Sequence, residues 1–127
     1  MVLQTDASKR ALGAVLLQEG FPVAYASRTM TATQERYAQI EKELLAVVFA
    51  CERFHQYIYG KSVVVHSDHK PLESIMKKPL STAPARLQRM LLRLQKYDIN
   101  LIYKPGKDLK IADTLSRAQL DEQMKNQ

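Results

Sequence analysis

The first part of the chain contains three apolar stretches of strand-like composition. Val2–Ser8 combines β-branched and aliphatic residues and ends on an acidic and two small residues. Ala11–Gln18 is almost continuously apolar, and Pro22–Arg28 follows a turn at Gly20. Such runs between turn-forming residues are typical of strands. Because the connections are so short, the pattern predicts an antiparallel meander of three strands.

A helical spacing of apolar residues follows the meander. Thr31-Ala32-Thr33-Gln34 resembles a capping box that opens a helix, although Thr33 is an equally good N-cap. Gly60 is suited to end the helix. The pattern predicts one long, largely buried helix over most of Thr33–Tyr59, with a kink near Ala38 as an alternative to a straight course. The apolar face consists of Tyr37, Ile40, Leu44, Val47, Cys51, Phe54 and Ile58.

Shorter elements alternate in the second half of the chain. Pro71 suits the first turn of a helix, and polar–apolar alternation from Tyr97 onward indicates a half-buried strand. The resulting order β-β-β-α-β-α-α-β-α predicts an α/β fold, in which a meander is joined to strands reached by helical crossovers. The predicted elements of this half are strands Val63–His66 and Tyr97–Tyr103 and helices Pro71–Met76, Ala85–Lys96 and Ile111–Arg117.

Length and composition place the chain among globular domains. Its 127 residues suffice for one domain, and 46% hydrophobic with 25% charged residues excludes general disorder. The chain has no apolar run of the roughly 20 residues that span a bilayer and no secretory signal, so we expect no membrane association. Met1 directly precedes a strand, which predicts a domain cut from a longer polypeptide. We expect that domain over residues 1–118 and a polar, disordered or linking tail over 119–127.

The single cysteine and the charge balance narrow the chemistry. Cys51 is the one cysteine of the chain, which excludes a disulfide framework or a zinc cluster. Its apolar neighbours predict a buried, inert thiol in a reducing compartment. Nineteen Lys and Arg residues against thirteen Asp and Glu residues give a net charge of +6. A basic balance favours a polyanionic partner, through phosphate contacts and counterion release.

Four acidic residues stand in distinctive local contexts. Asp6 ends the first strand, Glu43 borders the apolar stripe of the long helix, Asp68 ends the fourth strand, and Asp113 opens the last helix. Ligands of open α/β sheets gather beyond the carboxyl ends of the strands, where adjacent parallel strands would place Asp6 beside Asp68. Converging carboxylates repel one another unless cations lie between them, and Mg²⁺ or Mn²⁺ suits oxygen ligands best. Two such ions about 3.5–4 Å apart support phosphodiester hydrolysis.

Each acid also has a purely structural interpretation. Asp6 at a strand end is an ordinary turn former. Asp68 is a suitable N-cap for the following short helix, and Asp113 is an ordinary acid in a helix first turn. Glu43 fits a solvated helix position, and Glu41 is equally eligible by spacing. Periodicity alone does not separate these alternatives.

Four short motifs, in a fixed order, carry a family resemblance. The chain resembles the ribonuclease H domain of reverse transcriptases from gypsy-type LTR retrotransposons, over about Val2–Arg117. Tyr25–Arg28 and Tyr103–Lys107 agree with it. The motifs are Thr5-Asp6-Ala7-Ser8, Glu41-Lys42-Glu43-Leu44-Leu45-Ala46, Ser67-Asp68-His69-Lys70-Pro71-Leu72 and Ala112-Asp113-Thr114-Leu115-Ser116-Arg117.

The resemblance implies a fold, a reaction and a setting. The fold is a ribonuclease H-like, five-stranded mixed sheet, with the second strand antiparallel to the others and helices on both faces. The reaction is metal-dependent endonucleolytic hydrolysis of the RNA strand of an RNA–DNA hybrid, which leaves 3′-hydroxyl and 5′-phosphate ends. The setting is a retrotransposon Pol polyprotein that also carries the polymerase domain, inside the cell in a cytoplasmic particle or in the nucleus.

The resemblance also assigns the site residues. Matched by motif, Asp6, Glu43, Asp68 and Asp113 are the catalytic acids that hold two Mg²⁺ or Mn²⁺ ions, and Glu43 is preferred over Glu41 because it directly precedes the Leu-Leu-Ala run. The segment 104–110 lacks the loop histidine that many ribonucleases H carry.

Basic and polar residues near the acids are candidates for substrate binding. Ser8, Lys9 and Arg10 follow Asp6 closely, and His69 either contacts substrate or packs. Arg86, Arg89 and Arg93 form a helical stripe that would either follow the hybrid backbone or be a solvated face. Recognition by groove shape and 2′-hydroxyls is expected to dominate.

A second class of function stays open at this stage. A ribonuclease H-like module without catalysis would bind hybrid or tether neighbouring domains. The complete acid set favours the enzyme, because a tether has no need for four mutually repelling carboxylates.

Overall fold

Five strands form one mixed sheet in the computed structural model, which describes residues 1–106. The order across the sheet is β3-β2-β1-β4-β5, with β2 antiparallel to β1 and β3, and with β4 parallel to both β1 and β5. The predicted meander and the predicted mixed sheet, with its second strand antiparallel to the rest, are confirmed. The strands are β1 (Val2–Ala7), β2 (Ala11–Gln18), β3 (Phe21–Thr29), β4 (Ser62–Ser67) and β5 (Asp98–Tyr103).

Five α-helices and one short 3₁₀ helix accompany the sheet in the described residues. The two helices of the second half match their predicted positions within two residues, and a 3₁₀ turn at Leu80–Thr82 lies in the segment predicted as loop. The helices are α1 (Ala32–Glu35), α2 (Gln39–Arg53), α3 (His55–Ile58), α4 (Pro71–Lys77) and α5 (Ala85–Leu94).

The prediction of one continuous helix over Thr33–Tyr59 is wrong, because two breaks divide it into α1, α2 and α3. The first break lies at Ala38, where the kink was predicted as an alternative. Thr31, not Thr33, caps α1, in a reciprocal capping box with Gln34 whose two hydrogen bonds are both 3.1 Å. The chain then becomes extended at Ala38, where the Glu41 side chain accepts a hydrogen bond from the backbone N–H at 2.8 Å and α2 begins. The helical spacing of apolar residues continues across these breaks, because it depends only on which side of the chain faces the core. The points where the helices begin are set by their caps.

The core lies between α2 and the sheet. α2 packs over β1 and β2 and against α5. Nine of its fifteen residues are buried, which confirms the prediction that this helix is largely buried. Fully buried aliphatic side chains such as Leu16, Leu44 and Val47 each contribute about 1.5–3 kcal/mol relative to exposure. Burial raises the pKa of the Cys51 thiol to about 12, in accord with an inert thiol.

Some of the sequence predictions fall on residues 107–127, outside the described part of the chain. They are the last helix, the acid Asp113, the domain boundary at residue 118 and the polar tail. Within residues 1–106, no helix has the length and apolarity needed to cross a membrane.

Candidate active site

The register of two parallel strands brings the first pair of acids together. β1 and β4 pair Gln4 with His66, two positions before Asp6 and Asp68 respectively. Both carboxylates therefore lie at the carboxyl edge of the sheet, on neighbouring strands. Asp6 is only 6% exposed, whereas Asp68 is open to solvent. The pair thus has one buried and one accessible member.

Helix α2 adds a third carboxylate to this pair. Glu43 is 3% exposed, and one oxygen from each of Asp6, Glu43 and Asp68 lies within 4.8 Å of the other two. The structure thus brings together three of the four acids that the sequence indicates, and Asp113 lies outside the described residues. Three convergent carboxylates are a donor set for a hard divalent cation.

The Glu43 carboxyl group has a strongly raised pKa and one oxygen without a hydrogen-bond partner among the described residues. Its pKa is raised from 4.5 to about 8, first by burial and then by the charges of Asp6 and Asp68, while the Gln39 hydrogen bond opposes the rise. Gln39 Nε2 donates to Glu43 Oε1 at 2.8 Å, and the buried Oε2 has no hydrogen-bond partner among the described residues. A buried acceptor without a donor, beside two more carboxylates, fits Mg²⁺ or Mn²⁺.

Glu41 was an alternative to Glu43 on the basis of helical spacing, but its carboxylate makes structural contacts instead. One oxygen of its carboxylate caps α2 at Ala38, and both oxygens accept from Arg86 Nη1 at 3.1 Å. The Arg86 guanidinium also lies 4.2 Å from the centre of the Tyr37 ring. Glu41 therefore fastens the start of α2 to α5, and Glu43 alone of the two joins the acidic cluster.

Asp68 does not serve as the N-cap of the following helix. Lys70 is the N-cap of α4, and no side chain caps this end. The Asp68 strand end is held instead by its buried neighbour: Ser67 Oγ accepts from the His69 N–H at 3.2 Å, and Ser67 O accepts from the Lys104 N–H at 2.8 Å. The Asp68 side chain is thus left for the cluster.

Gly106 closes against the same carboxylate. A Cβ at this position would lie 3.1 Å from Asp68 Oδ2, closer than ordinary van der Waals contact. The approach of Gly106 to Asp68 depends on the pairing of β5 with β4. Local sequence carries no signal for that contact.

The turn between β1 and β2 carries the basic candidates nearest to Asp6. Ser8 Oγ accepts from the Ala11 N–H at 3.2 Å, while the Lys9 and Arg10 side chains are exposed. Lys42, which is 9% exposed, places its Nζ 3.5 Å from the Lys9 carbonyl oxygen. Sequence reasoning missed Lys42; its one signal is a lysine between two glutamates beside an apolar stripe.

The remaining substrate candidates lie in different environments. His69 is half-buried beside Asp68, and its pKa is lowered by burial, against the opposing effect of the Asp68 charge. On α5, Arg86 pairs with Glu41, and Arg93 Nε donates to Glu52 Oε2 at 3.0 Å. Arg89 is exposed on the same helix. The two ends of the predicted arginine stripe are therefore engaged by acids of α2.

The fold belongs to the ribonuclease H class. The structure is similar to ribonuclease H1 of the archaeon Halobacterium salinarum, with a TM-score of 0.77 at 21% identity over 95% of this chain and 97% of that one. It is also similar to a foamy viral protease-reverse transcriptase solved in complex with RNA/DNA hybrid, with a TM-score of 0.66 at 25% identity. That likeness covers 81% of this chain and 15% of the viral one.

Within that class, residues 1–97 match the family model of the RNase H-like domain found in reverse transcriptase, and the chain belongs to this family. It is 43% identical over 123 residues to the retrovirus-related Pol polyprotein from transposon 297 of Drosophila melanogaster, covering 95% of this chain and 11% of the polyprotein. The Pol polyprotein from transposon gypsy of the same species is 37% identical over 120 residues, with coverage of 94% and 11%. The chain thus spans about a tenth of the length of the curated relatives it matches, and the gypsy-type resemblance is confirmed.

Proposed function

We propose that this chain is a ribonuclease H domain of a retrotransposon Pol polyprotein that hydrolyses the RNA strand of RNA–DNA hybrids. The observation that carries the proposal is the cluster of Asp6, Glu43 and Asp68 at the carboxyl edge of a ribonuclease H sheet. Family membership and the Pol polyprotein relatives support it.

The three clustered acids are proposed to hold divalent ions, with Mg²⁺ or Mn²⁺ as the cofactor. Asp113 is proposed to complete the set on the strength of its motif, and these four acids would hold two ions per site. When bound, such ions supply Lewis acidity for the attacking water and the leaving oxygen. The chain's own contributions are to fix the carboxylates on three elements and to give up the Glu43 proton, which burial retains when no cation is bound.

The substrate side of the site is proposed to be its solvent-open edge. Asp68 is exposed there, and the exposed Lys9 and Arg10 lie in the turn that follows the strand of Asp6, so both are suited to phosphate contacts. His69 and Ser8 are proposed as neighbours of the backbone of the bound hybrid. For Arg86 the ion pair with Glu41 favours a structural role, and Arg89 remains the candidate phosphate contact on α5.

The proposed partners are the RNA–DNA hybrid and the polymerase domain of the same polyprotein. The relatives are Pol polyproteins about ten times the length of the matched segment, so a linked polymerase is the expected neighbour. The proposed place of action is the retrotransposon particle in the cytoplasm or the nucleus.

The alternative is a non-catalytic module that binds hybrid or tethers other domains. The burial of Glu43 argues against it, because a carboxylate whose pKa is raised to about 8 destabilises the metal-free fold when ionised. A tether would retain no such group without a use for it.

Cleavage of a labelled RNA–DNA hybrid tests the proposal. The wild-type chain is assayed with Mg²⁺ or Mn²⁺ beside Asp68→Asn and a matched control, Asp98→Asn, whose carboxylate is exposed at the start of β5. RNA-strand cuts that require metal, vanish in Asp68→Asn and persist in Asp98→Asn support the enzyme. Hybrid binding without cleavage supports the alternative. If the chain neither binds nor cleaves the hybrid, the proposal that this domain acts on its own is overturned.

A further inference from the structure

Three consecutive residues of α2, from Glu41 to Glu43, contact different parts of the fold. Glu41 binds Ala38 and Arg86, and Glu43 joins the acidic cluster, as described above. Lys42, between them, is buried, and its Nζ lies 3.5 Å from the Lys9 carbonyl oxygen in the β1–β2 turn. Lysine is rarely buried unless its ammonium has a polar partner, and we interpret this contact as the attachment of α2 to that turn.

The β1–β2 turn, residues 8–11, is also fastened by its own backbone and by β3. The Ser8 N–H donates to Ala11 O at 2.8 Å, and the Met30 N–H donates to Arg10 O at 2.7 Å. The first contact joins the two ends of the turn, and the second attaches its central residue Arg10 to the end of β3. The Lys42 contact attaches the other central residue, Lys9, to the helix that carries Glu43.

We propose that Lys42 is a positioning residue for nucleic-acid binding: it holds the β1–β2 turn so that Lys9 and Arg10 meet the phosphate backbone beside the acidic cluster. This inference rests on the proposed function. Because the turn backbone is ordered before binding, the two exposed cations lose less freedom when they engage phosphates. The loss of Lys42 should therefore weaken hybrid binding and leave the chemical step intact.

Lys42→Met removes the ammonium and keeps the aliphatic stem, and Lys42→Arg restores a cationic donor. Lys61→Met is the matched control, since it removes the same charge from an exposed position just before β4, at the opposite end of that strand from Asp68. We expect Lys42→Met to raise KM for the hybrid about fivefold to tenfold with kcat within twofold, and to lower the salt slope of binding by about 1–2. Lys42→Arg should recover most of the affinity, and Lys61→Met should change little.

A double-mutant cycle separates positioning from general damage. In a Lys9→Gln, Arg10→Gln background the turn has no cations to position, so Lys42→Met should add less than twofold to KM. An equal increase in both backgrounds would overturn the proposal. An unchanged KM in Lys42→Met alone would do the same.

Amide hydrogen exchange provides a readout that needs no activity. Lys42→Met should speed exchange at Ala11 and Met30, whose N–H groups bond within or onto the turn, more than at Leu44 in α2. Uniform or absent changes would refute the positioning role. If the wild-type chain neither binds nor cleaves hybrid while the turn loosens as expected, the proposed function fails and the attachment of the turn stands.

Discussion

Replacement of Glu43 by Gln should stabilise the metal-free domain while abolishing cleavage. In the native fold the Glu43 pKa is raised from 4.5 to about 8, chiefly by burial and then by Asp6 and Asp68. Between these two pH values the folded state holds a proton that the unfolded state has released, so the free energy of unfolding falls as pH rises. At about 1.36 kcal/mol per pKa unit, the loss from pH 4.5 to pH 7 is on the order of 3 kcal/mol.

The amide introduced by Glu43→Gln does not titrate, and its oxygen can still accept the hydrogen bond from Gln39. The stability of this variant relative to wild type should therefore increase steadily from pH 5 to about pH 8 and then level off. Urea unfolding in EDTA at several pH values in this range measures the difference directly. Glu35→Gln, on the exposed surface of α1, removes the same charge without the burial and serves as the control.

A flat difference between wild type and Glu43→Gln across this pH range would refute the reasoning, because it would mean that ionising Glu43 does not destabilise the metal-free fold. A difference that also appears in Glu35→Gln would assign the effect to net charge instead. Saturating Mn²⁺ should reverse the order of stability, since the cation stabilises only the cluster that retains all its carboxylates.

Three further predictions concern the surroundings of the cluster. Gly106→Ala places a methyl group 3.1 Å from Asp68 Oδ2, so Mn²⁺ affinity measured by calorimetry should fall severalfold; unchanged affinity would show that the loop yields. Arg86→Ala should cost about 1 kcal/mol in urea unfolding, since its ion pair and ring contact are partly exposed, and leave KM for the hybrid unchanged. A raised KM at native stability would instead mark Arg86 as a substrate contact. Mn²⁺ binding should release about one proton per site at pH 6.5 and less at pH 9, because Glu43 must lose its proton to bind the ion. Calorimetry in buffers of different ionisation enthalpy measures this release, and its absence at pH 6.5 would contradict a protonated Glu43.

The sheet was predictable because its signals are local. Each of the first three strands is bounded by a short turn, and β4 is an isolated β-branched run, so composition and spacing suffice. The sequence predicted a kink near Ala38 only as an alternative, since Tyr37 keeps the helical phase although the chain at Ala38 is extended. Two caps mark this break: the Thr31–Gln34 capping box, which the sequence analysis recognised, and the hydrogen bond from the Ala38 N–H to Glu41, which it did not.

The candidate site was likewise predictable in part, where local motifs mark its residues, and not where its contacts join distant segments. Motif resemblance singled out Glu43 over Glu41, and the structure supplies the reason in Arg86, a residue 45 positions from Glu41 that engages its carboxylate. Lys42 and Gly106 escaped notice because their contacts join segments that are distant in sequence. Asp113 lies outside the described residues and remains a prediction from its motif.

The start of α2 links the stability of the fold to the assembly of the site. Glu41 ties the helix to α5, Lys42 ties it to the β1–β2 turn, and Glu43 enters the cluster, so one helical turn sets the distance between the acids and the basic turn. The first two contacts stabilise the fold, whereas the ionised Glu43 destabilises it unless the proposed cation is bound. Because a buried carboxylate among like charges is destabilising when ionised, Glu43 is better explained by what it binds than by what it packs against.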